Sequence, residues 1–374
     1  MKLRWQWCAS LGAQDFPARA YEQLRQQVEG ATPFNRLSWL RGAEQALQQQ
    51  KLQILLGWQG EQLLLCLPLI RGRESRAGLT LQVVRHLGHP LSDRLALLVA
   101  EAGQHAMGEA LGHIRRRLPH DLLQLHELVD AERLLAPWRR ASSYSQLALS
   151  CRVPEHLIVA ADRDEPSGSL RYELRRGRKR CGEIDARVVR LNPGADDIDQ
   201  LLQRLREVEQ ASWKGADGLG IFSGSQRQQW MGTALRGLAA EGGVRVVMLE
   251  HQGRCISYRL GLLERGRLYD YNIAFLADYA NLGSGRLLLD EWIRWGLEDG
   301  WQCVDASRVS LSRSSHQLHE RMSGVVLQQR WSFYSWRPRG LLLGLVERLW
   351  LLLKPRLKAW RERRQAGKAQ GTCP

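Results

Sequence analysis

One strand–turn–strand pattern occurs twice in this chain and constrains its fold more than any other feature. Leu56-Gly57-Trp58-Gln59-Gly60 with the apolar run 63–70 aligns with Leu249-Glu250-His251-Gln252-Gly253 and the run 256–263, at a constant offset of 193 residues. Each copy is an apolar stretch of strand length, a Gln-Gly turn and a second such stretch, which is a hairpin signal. Helical spacing precedes both copies, over 18–28 and 37–50 in the first half and over 196–212 and 226–241 in the second. In 196–212 the residues Ile198, Leu201, Leu202, Leu205 and Val208 recur at i, i+3 and i+4, one face of a helix. Two ordinary hairpins with a common turn would explain the match taken alone. Helices ahead of both favour a tandem duplication of one α/β unit.

The remaining elements follow the same order in each half. Strands are expected at 83–87, 96–99 and 122–125 with a helix at 105–118 ended by Pro119, and at 244–250, 255–264 and 268–275 with a helix at 285–299 ended by Gly300. A last strand spans 302–305. The stretch from Pro137 to Pro154 is weakly patterned, so the expected division is 1–150, 151–336 and a basic tail, 337–374. With 374 residues and 44% apolar types the chain can build a sizeable core, which excludes whole-chain disorder and collagen-like repeats. Its seven cysteines are scattered, without a CxxC pair or a Cys/His cluster at zinc spacing, so neither a disulfide frame nor a bound metal is expected. They read as small buried apolar residues.

Chemistry concentrates in one segment. The strand through Asp270, Tyr271 and Asn272 enters a loop holding Leu282, Gly283, Ser284, Gly285 and Arg286, and the loop opens directly into a helix. Unpaired N–H groups at such a helix start, with the helix dipole, stabilise an anion, typically a phosphate. Gly283 and Gly285 let backbone approach a ligand closely, and Arg286 adds positive charge. A tight turn needing glycine only for positive φ is the competing account.

Hairpin, third strand, glycine loop, helix and further strand, from Val244 to Asp305, resemble the acyl-CoA-binding half of the GNAT acyltransferases. Ala280 stands where the usual signature has Arg or Gln, three residues before its first Gly, and Arg286 offers a charge at the other end of the loop. Over roughly 170–331 the chain also resembles the CelD/BcsL group of acyltransferases, through Trp213-Lys214-Gly215, the segment from Asn281 to Leu289, and Val304-Asp305. That group is distantly related to the Fem peptidyltransferases, which carry two tandem GNAT-like units. The resemblance implies an α/β (α+β) fold of two such units, with mixed, mainly antiparallel sheets flanked by helices. It also implies acetyl-CoA as co-substrate, with transfer of an acetyl or short acyl group to an amino group. The acceptor would be an amine- or sugar-bearing precursor in polysaccharide or envelope biosynthesis. Two alternatives stay open: a Fem-like transferase using aminoacyl-tRNA, and a non-catalytic GNAT-like scaffold at a membrane-bound polysaccharide synthase.

Acyl transfer to an amine needs a base, a polarised carbonyl and a proton for the departing thiolate. Asp305, Asp270 and His316 are the candidate bases, backbone N–H groups of the strand 268–275 the candidate oxyanion donors, and Tyr271 the candidate proton donor. Trp213 and Lys214 are candidate substrate-binding residues, the indole offering a stacking face. Residues 171–180 hold six Lys/Arg and one acid, a grip for polyphosphate, polyanionic sugar or tRNA, or else a solvated helix face. From Arg337 onward there are ten Lys/Arg and two acids, so the tail supplies +8 of the +15 net charge. Its apolar run 340–353 precedes Lys354, Arg356, Lys358, Arg361, Arg363 and Arg364. That pattern fits a basic amphipathic helix on an anionic membrane or on a synthase, through 340–364. No signal-peptide-like apolar run opens the chain, so a cytoplasmic location is expected, peripheral to the inner membrane.

Overall fold

Both expected hairpins form, turning at Gly60-Glu61 and at Gln252-Gly253, and the rest of the architecture is arranged around them. The computed structural model describes residues 2–76, 78–166, 168–308 and 322–370. The first half runs β1 (Arg4–Cys8), α1 (Ala18–Gln27), α2 (Leu37–Ala46), β2 (Lys51–Gln59), β3 (Gln62–Arg76), β4 (Leu79–His86) and β5 (Leu98–Val99). It continues through α3 (Met107–Arg117), β6 (Leu122–Leu128), α4 (Glu132–Ala141) and β7 (Tyr144–Leu157). The second half runs α5 (Gly168–Glu183), β8 (Arg187–Leu191), α6 (Ile198–Gln210), α7 (Trp213–Ala216), α8 (Gly224–Ala240), β9 (Val244–His251), β10 (Arg254–Glu264) and β11 (Arg267–Phe275). It closes with α9 (Ser284–Asp299), β12 (Cys303–Asp305), β13 (Gly324–Tyr334) and α10 (Pro338–Gln370).

The order β1-α1-α2-β2-β3-β4-α3-β6 recurs as β8-α6-α8-β9-β10-β11-α9-β12. All thirteen described strands form one sheet, in the order β1-β2-β3-β4-β6-β13-β7-β12-β11-β10-β9-β8, with β5 on β3. Only β4–β6 and β11–β12 are parallel among the named strands, and each of these pairs stays in register for three residues before the chains part. The centre of the sheet is an exchange: β7, from the first half, pairs with β12, while β13, from the second, pairs with β6. The two exchanged strands also pair with each other from Tyr144↔Tyr334 to Glu155↔Gly324.

Residue 150 therefore lies inside a central strand. The stretch from Pro137 to Pro154, expected as a boundary, holds the end of α4 and most of β7. Its pattern is weak because β7 is covered only along its second half: Leu149 is 56% exposed, whereas Cys151 and Val153 are buried. The expected strand at 96–99 shortens to Leu98–Val99, and the one at 122–125 extends to Leu128.

One apolar core joins the halves. Phe34 and Trp39 of the first pack on Tyr269, Tyr271 and Trp230 of the second, with ring centroids 5.4–6.1 Å apart. Helices α2 and α8 cross at small residues: a Cβ on Gly42 would lie 2.8 Å from the Trp230 carbonyl oxygen, and one on Gly237 would lie 2.5 Å from the Ser38 Cβ. Buried Glu264 binds Arg25 (2.9 Å) and Arg36 (2.5 Å), and Arg265 donates to the carbonyls of Arg25, Gln26, Val28 and Glu29 at the end of α1. Those carbonyls are the acceptors a helix C-terminus leaves open. The six described cysteines are buried and free of disulfides.

Candidate active site

The glycine loop is built from both sides. After β11 a short 3-10 turn (Ala277–Leu282) ends at Gly283, whose φ of 66° is the left-handed conformation that glycine adopts without strain. Helix α9 starts at Ser284; the amides of Arg286 and Leu287 donate to the Gly283 carbonyl at 3.1 and 3.3 Å, which leaves those of Ser284 and Gly285 without a backbone acceptor among the described residues. Leu282 and Ser284 are buried, and Arg286 lies partly exposed on the first turn. Helix α5, the basic segment, lies over this loop. A Cβ on Gly177 would sit 2.9 Å from the Leu282 carbonyl oxygen, and Arg180 donates to the Asn281 carbonyl.

Beneath the loop, Arg259 donates to the Gly285 carbonyl through Nε (3.2 Å) and Nη2 (2.8 Å), and pairs with Asp270 through Nη1. The other Asp270 oxygen accepts from the Trp292 indole at 3.2 Å. Asp270, expected as a base, is thus held in a buried ion pair that ties the helix start to the sheet.

Beside the loop, β11 carries a bulge. Leu260 faces Asn272 while Gly261 faces Asp270, so Tyr271 has no opposite number on β10. Bulges re-aim backbone and side chains locally. The Tyr271 hydroxyl donates to the Leu91 carbonyl at 3.0 Å, and burial pushes its phenol well above the ordinary value. That hydroxyl is therefore already engaged rather than open as a proton donor.

Asn272 is a junction. Its Nδ2 donates to Glu209 (2.7 Å) and to the Tyr258 hydroxyl (2.8 Å), and its Oδ1 accepts from the Lys214 ammonium. Glu209, 1% exposed, also accepts from the amides of Ile221 and Phe222. Burial lowers the Lys214 ammonium's affinity for its proton, opposed by nearby Glu209, Asp93 and Asp270. The ammonium sits 5.9 Å from the ring centre of Trp213, which is 54% exposed. The sequence singled out Trp213 and Lys214 but missed Asn272, Glu209 and Tyr258. One signal for Glu209 was available, since it lies on the apolar stripe of α6, four residues after Leu205.

Asp305 lies at the end of β12 with 1% exposure. Both its oxygens accept from Arg94 Nη2 at 2.8 Å, one caps the Ser307 amide at 2.7 Å, and Arg267 stands 3.6 Å away. Arg94 comes from the first half, and its Nη1 is buried without a partner among the described residues. Next to it Asp93 accepts from the Ser307 hydroxyl at 3.0 Å, and burial pushes its carboxyl up to about 7.

A cavity of about 150 Å³ opens beside this pair, where β4 and β6 part. His86, His89, Ser92, His126, Glu127, Arg308 and Arg330 contribute to its wall. Burial holds His86 and His89 down at about 3 and His126 at about 4, so these imidazoles are neutral. Glu127, at a left-handed φ of 59°, accepts from Arg330 (2.6 Å) and Ser150 (2.9 Å). His316, the third expected base, lies outside the described residues. Among the described residues no group of three or more His, Cys, Asp or Glu could hold a metal ion.

Residues 168–310 match a family model described as an acetyltransferase (GNAT) domain. Among solved structures, FemX superposes with a TM-score of 0.60 at 7% identity, over 91% of this chain and all of that one. The L-PGS of Bacillus licheniformis superposes at 0.52 with 14% identity, over 91% and 98% of the two chains. A tandem GNAT protein from the clavulanic acid biosynthesis pathway gives 0.51 at 10% identity, over 88% and 98%. At these identities the likeness is one of fold, and the chain has a tandem GNAT-like α/β fold. No curated protein sequence matches it.

Proposed function

We propose that this protein transfers an acetyl or other short acyl group from acyl-CoA to an amino group. The observation that carries the reading is the left-handed Gly283 at the head of α9, beside the bulge of β11 and within the stretch that matches the GNAT domain model. The amides of Ser284 and Gly285 at the head of α9, with the Arg286 side chain, take the CoA pyrophosphate. The pantetheine arm lies along β11, and amides near the bulge donate to the thioester carbonyl as its oxygen gains charge.

The acceptor amine enters from the junction of the two halves. Asp93, held near 7, takes the proton that the ammonium must lose before its nitrogen attacks the carbonyl carbon. The C–S bond then breaks, and the thiolate is protonated to leave as CoA. Lys214, fixed by Asn272, is the candidate donor of that proton. Arg308 and Arg330, with the neutral histidines, receive an anionic or hydroxyl-rich part of the acceptor, which suits the sugar precursor expected from the sequence.

Calorimetric titration of acetyl-CoA, with CoA and ATP as controls, tests the donor. Micromolar binding that is lost in Gly283→Trp is the expected result. No binding of any CoA thioester overturns the acyl-CoA reading.

One observation favours a second reading with aminoacyl-tRNA as donor. Helix α5 lies directly over the glycine loop and carries Arg171, Arg175 and Arg176, each about half exposed and set in surface pairs with Glu165 or Glu173, which a nucleic-acid backbone could compete for. Copurifying RNA, and activity abolished by ribonuclease, would select it.

A further inference from the structure

The apolar run of the tail does not fold back onto the molecule. Only the root of α10 docks: Leu343 packs on Leu81, Val83, Leu122 and Tyr334, and Glu347 accepts from the Tyr334 hydroxyl and pairs with Arg76 at 2.8 Å. From Leu341 to Leu353 the remaining apolar side chains stand in solvent around most of the helix. Leu345 is 57%, Trp350 54% and Leu352 62% exposed. An exposed apolar area of this extent on a soluble body marks an interaction surface.

A second feature stands at the root of the same helix. An open concavity of about 570 Å³ is lined by Lys51, Arg71, Arg73 and Arg337, with no acidic residue in its wall. Arg337 immediately precedes α10, and its only acidic neighbour among the described residues is Asp121, 3.8 Å away. Lys51, Arg71 and Arg73 take part in no ion pair among the described residues. Trp336, next to Arg337 in the chain, is 64% exposed, its indole donating to the Ala141 carbonyl at 3.0 Å. The sequence then continues past Leu353 with Lys354, Arg356 and Lys358.

We propose, independently of the acyl-transfer reading, that this end of the molecule docks on a bilayer containing anionic phospholipid. The apolar stretch of α10 lies in the interface and the Lys51–Arg71–Arg73–Arg337 groove takes lipid phosphates. Thirteen helical residues span only about 20 Å, short of the roughly 30 Å hydrocarbon layer. The helix therefore lies along the surface, and among the described residues no helix is long and apolar enough to cross a membrane. Trp at headgroup depth and basic residues beside an apolar stretch are what an anionic interface retains. The all-basic groove rules against a purely apolar occupant.

The full chain is tested by co-sedimentation with phosphatidylglycerol/phosphatidylcholine vesicles and with phosphatidylcholine vesicles alone, at low and high salt. Partition onto the mixed vesicles should be stronger by roughly tenfold or more at low salt and fall as salt rises. The triple variant Leu345→Glu/Leu349→Glu/Leu352→Glu changes only exposed side chains, so its melting temperature should match the wild type while binding is lost. Arg71→Glu/Arg73→Glu should weaken binding severalfold. No partition, equal partition onto both vesicle types, or unchanged binding by the triple variant overturns the proposal. Release by inorganic phosphate beyond that by sodium chloride of equal ionic strength would make the groove a free-anion site and overturn it. Sedimentation velocity without lipid covers the remaining occupant: a wild-type dimer that the triple variant abolishes, with no vesicle binding, assigns the surface to a second copy instead.

Discussion

Arg259 and Asp270 form a buried ion pair whose other contacts reach the first turn of α9 and Trp292. Removing one partner of such a pair leaves a buried charge unpaired and typically costs about 3–5 kcal/mol. Arg259→Met should therefore lower the melting temperature strongly and raise hydrogen exchange at Ser284–Leu287. Arg259→Met/Asp270→Leu should recover part of the loss. Buried titratable groups also set the acid response. His86, His89, His120 and His126 are neutral in the fold, held at about 3 to 4, whereas the unfolded chain takes up protons near 6.5. Stability from these four is present above 6.5 and is lost as pH falls towards 4 to 3. Asp93 has the opposite sign: it stays protonated in the fold up to about 7, so its contribution is lost as pH rises from 4 through 7. Thermal melts should show net destabilisation below pH 6.5, and the stability difference between Asp93→Asn and wild type should shift in favour of the variant between pH 5 and 8. At this scale the sequence was partly legible. Lys214 and Asp305 stood out by their place beside predicted elements. Asp93 and Arg94 did not, because their partners Ser307 and Asp305 lie more than two hundred residues away.

Among elements, the hairpins were legible because strand period, apolar content and a Gly turn agree locally. Helix α9 was equally clear, with Gly283 and Gly300, both left-handed, at its two ends. Strands β7 and β13 were not. Their pairing comes from across the molecule, and their half-exposed residues blur the alternation that reveals a strand. The basic stretch became α5, whose role is set by one small residue. Gly177→Leu should force α5 off the Leu282 carbonyl, lowering the melting temperature and loosening the glycine loop in hydrogen exchange. Gly283→Ala is the milder probe at the same loop. Nothing lies within 4 Å of a Cβ there, but a φ of 66° should cost about 1 kcal/mol. Acyl-CoA affinity should survive that change and disappear in Gly283→Trp.

For the whole molecule, the repeat at a 193-residue offset was legible and the manner of joining was not. The sequence suggests two units in series, whereas the structure weaves them through β7, β13 and one apolar core. Unfolding should then be a single transition: far-ultraviolet circular dichroism and tryptophan fluorescence should melt together. Gly42→Val should lower that common midpoint, since overpacking the α2–α8 crossing costs typically about 1–3 kcal/mol and strikes both halves at once. Two separated midpoints, with only one moved by Gly42→Val, would contradict a shared core.

The exchange of strands also sets a timetable for synthesis. Strand β6 is complete at residue 128, yet its neighbour β13 begins only at 324. At a ribosomal pace of about 5–20 residues per second, an apolar strand edge waits roughly 10–40 s for its partner. During that interval the nascent first half is an open template for any other strand, so this chain should lean on holdase chaperones until β13 has left the exit tunnel.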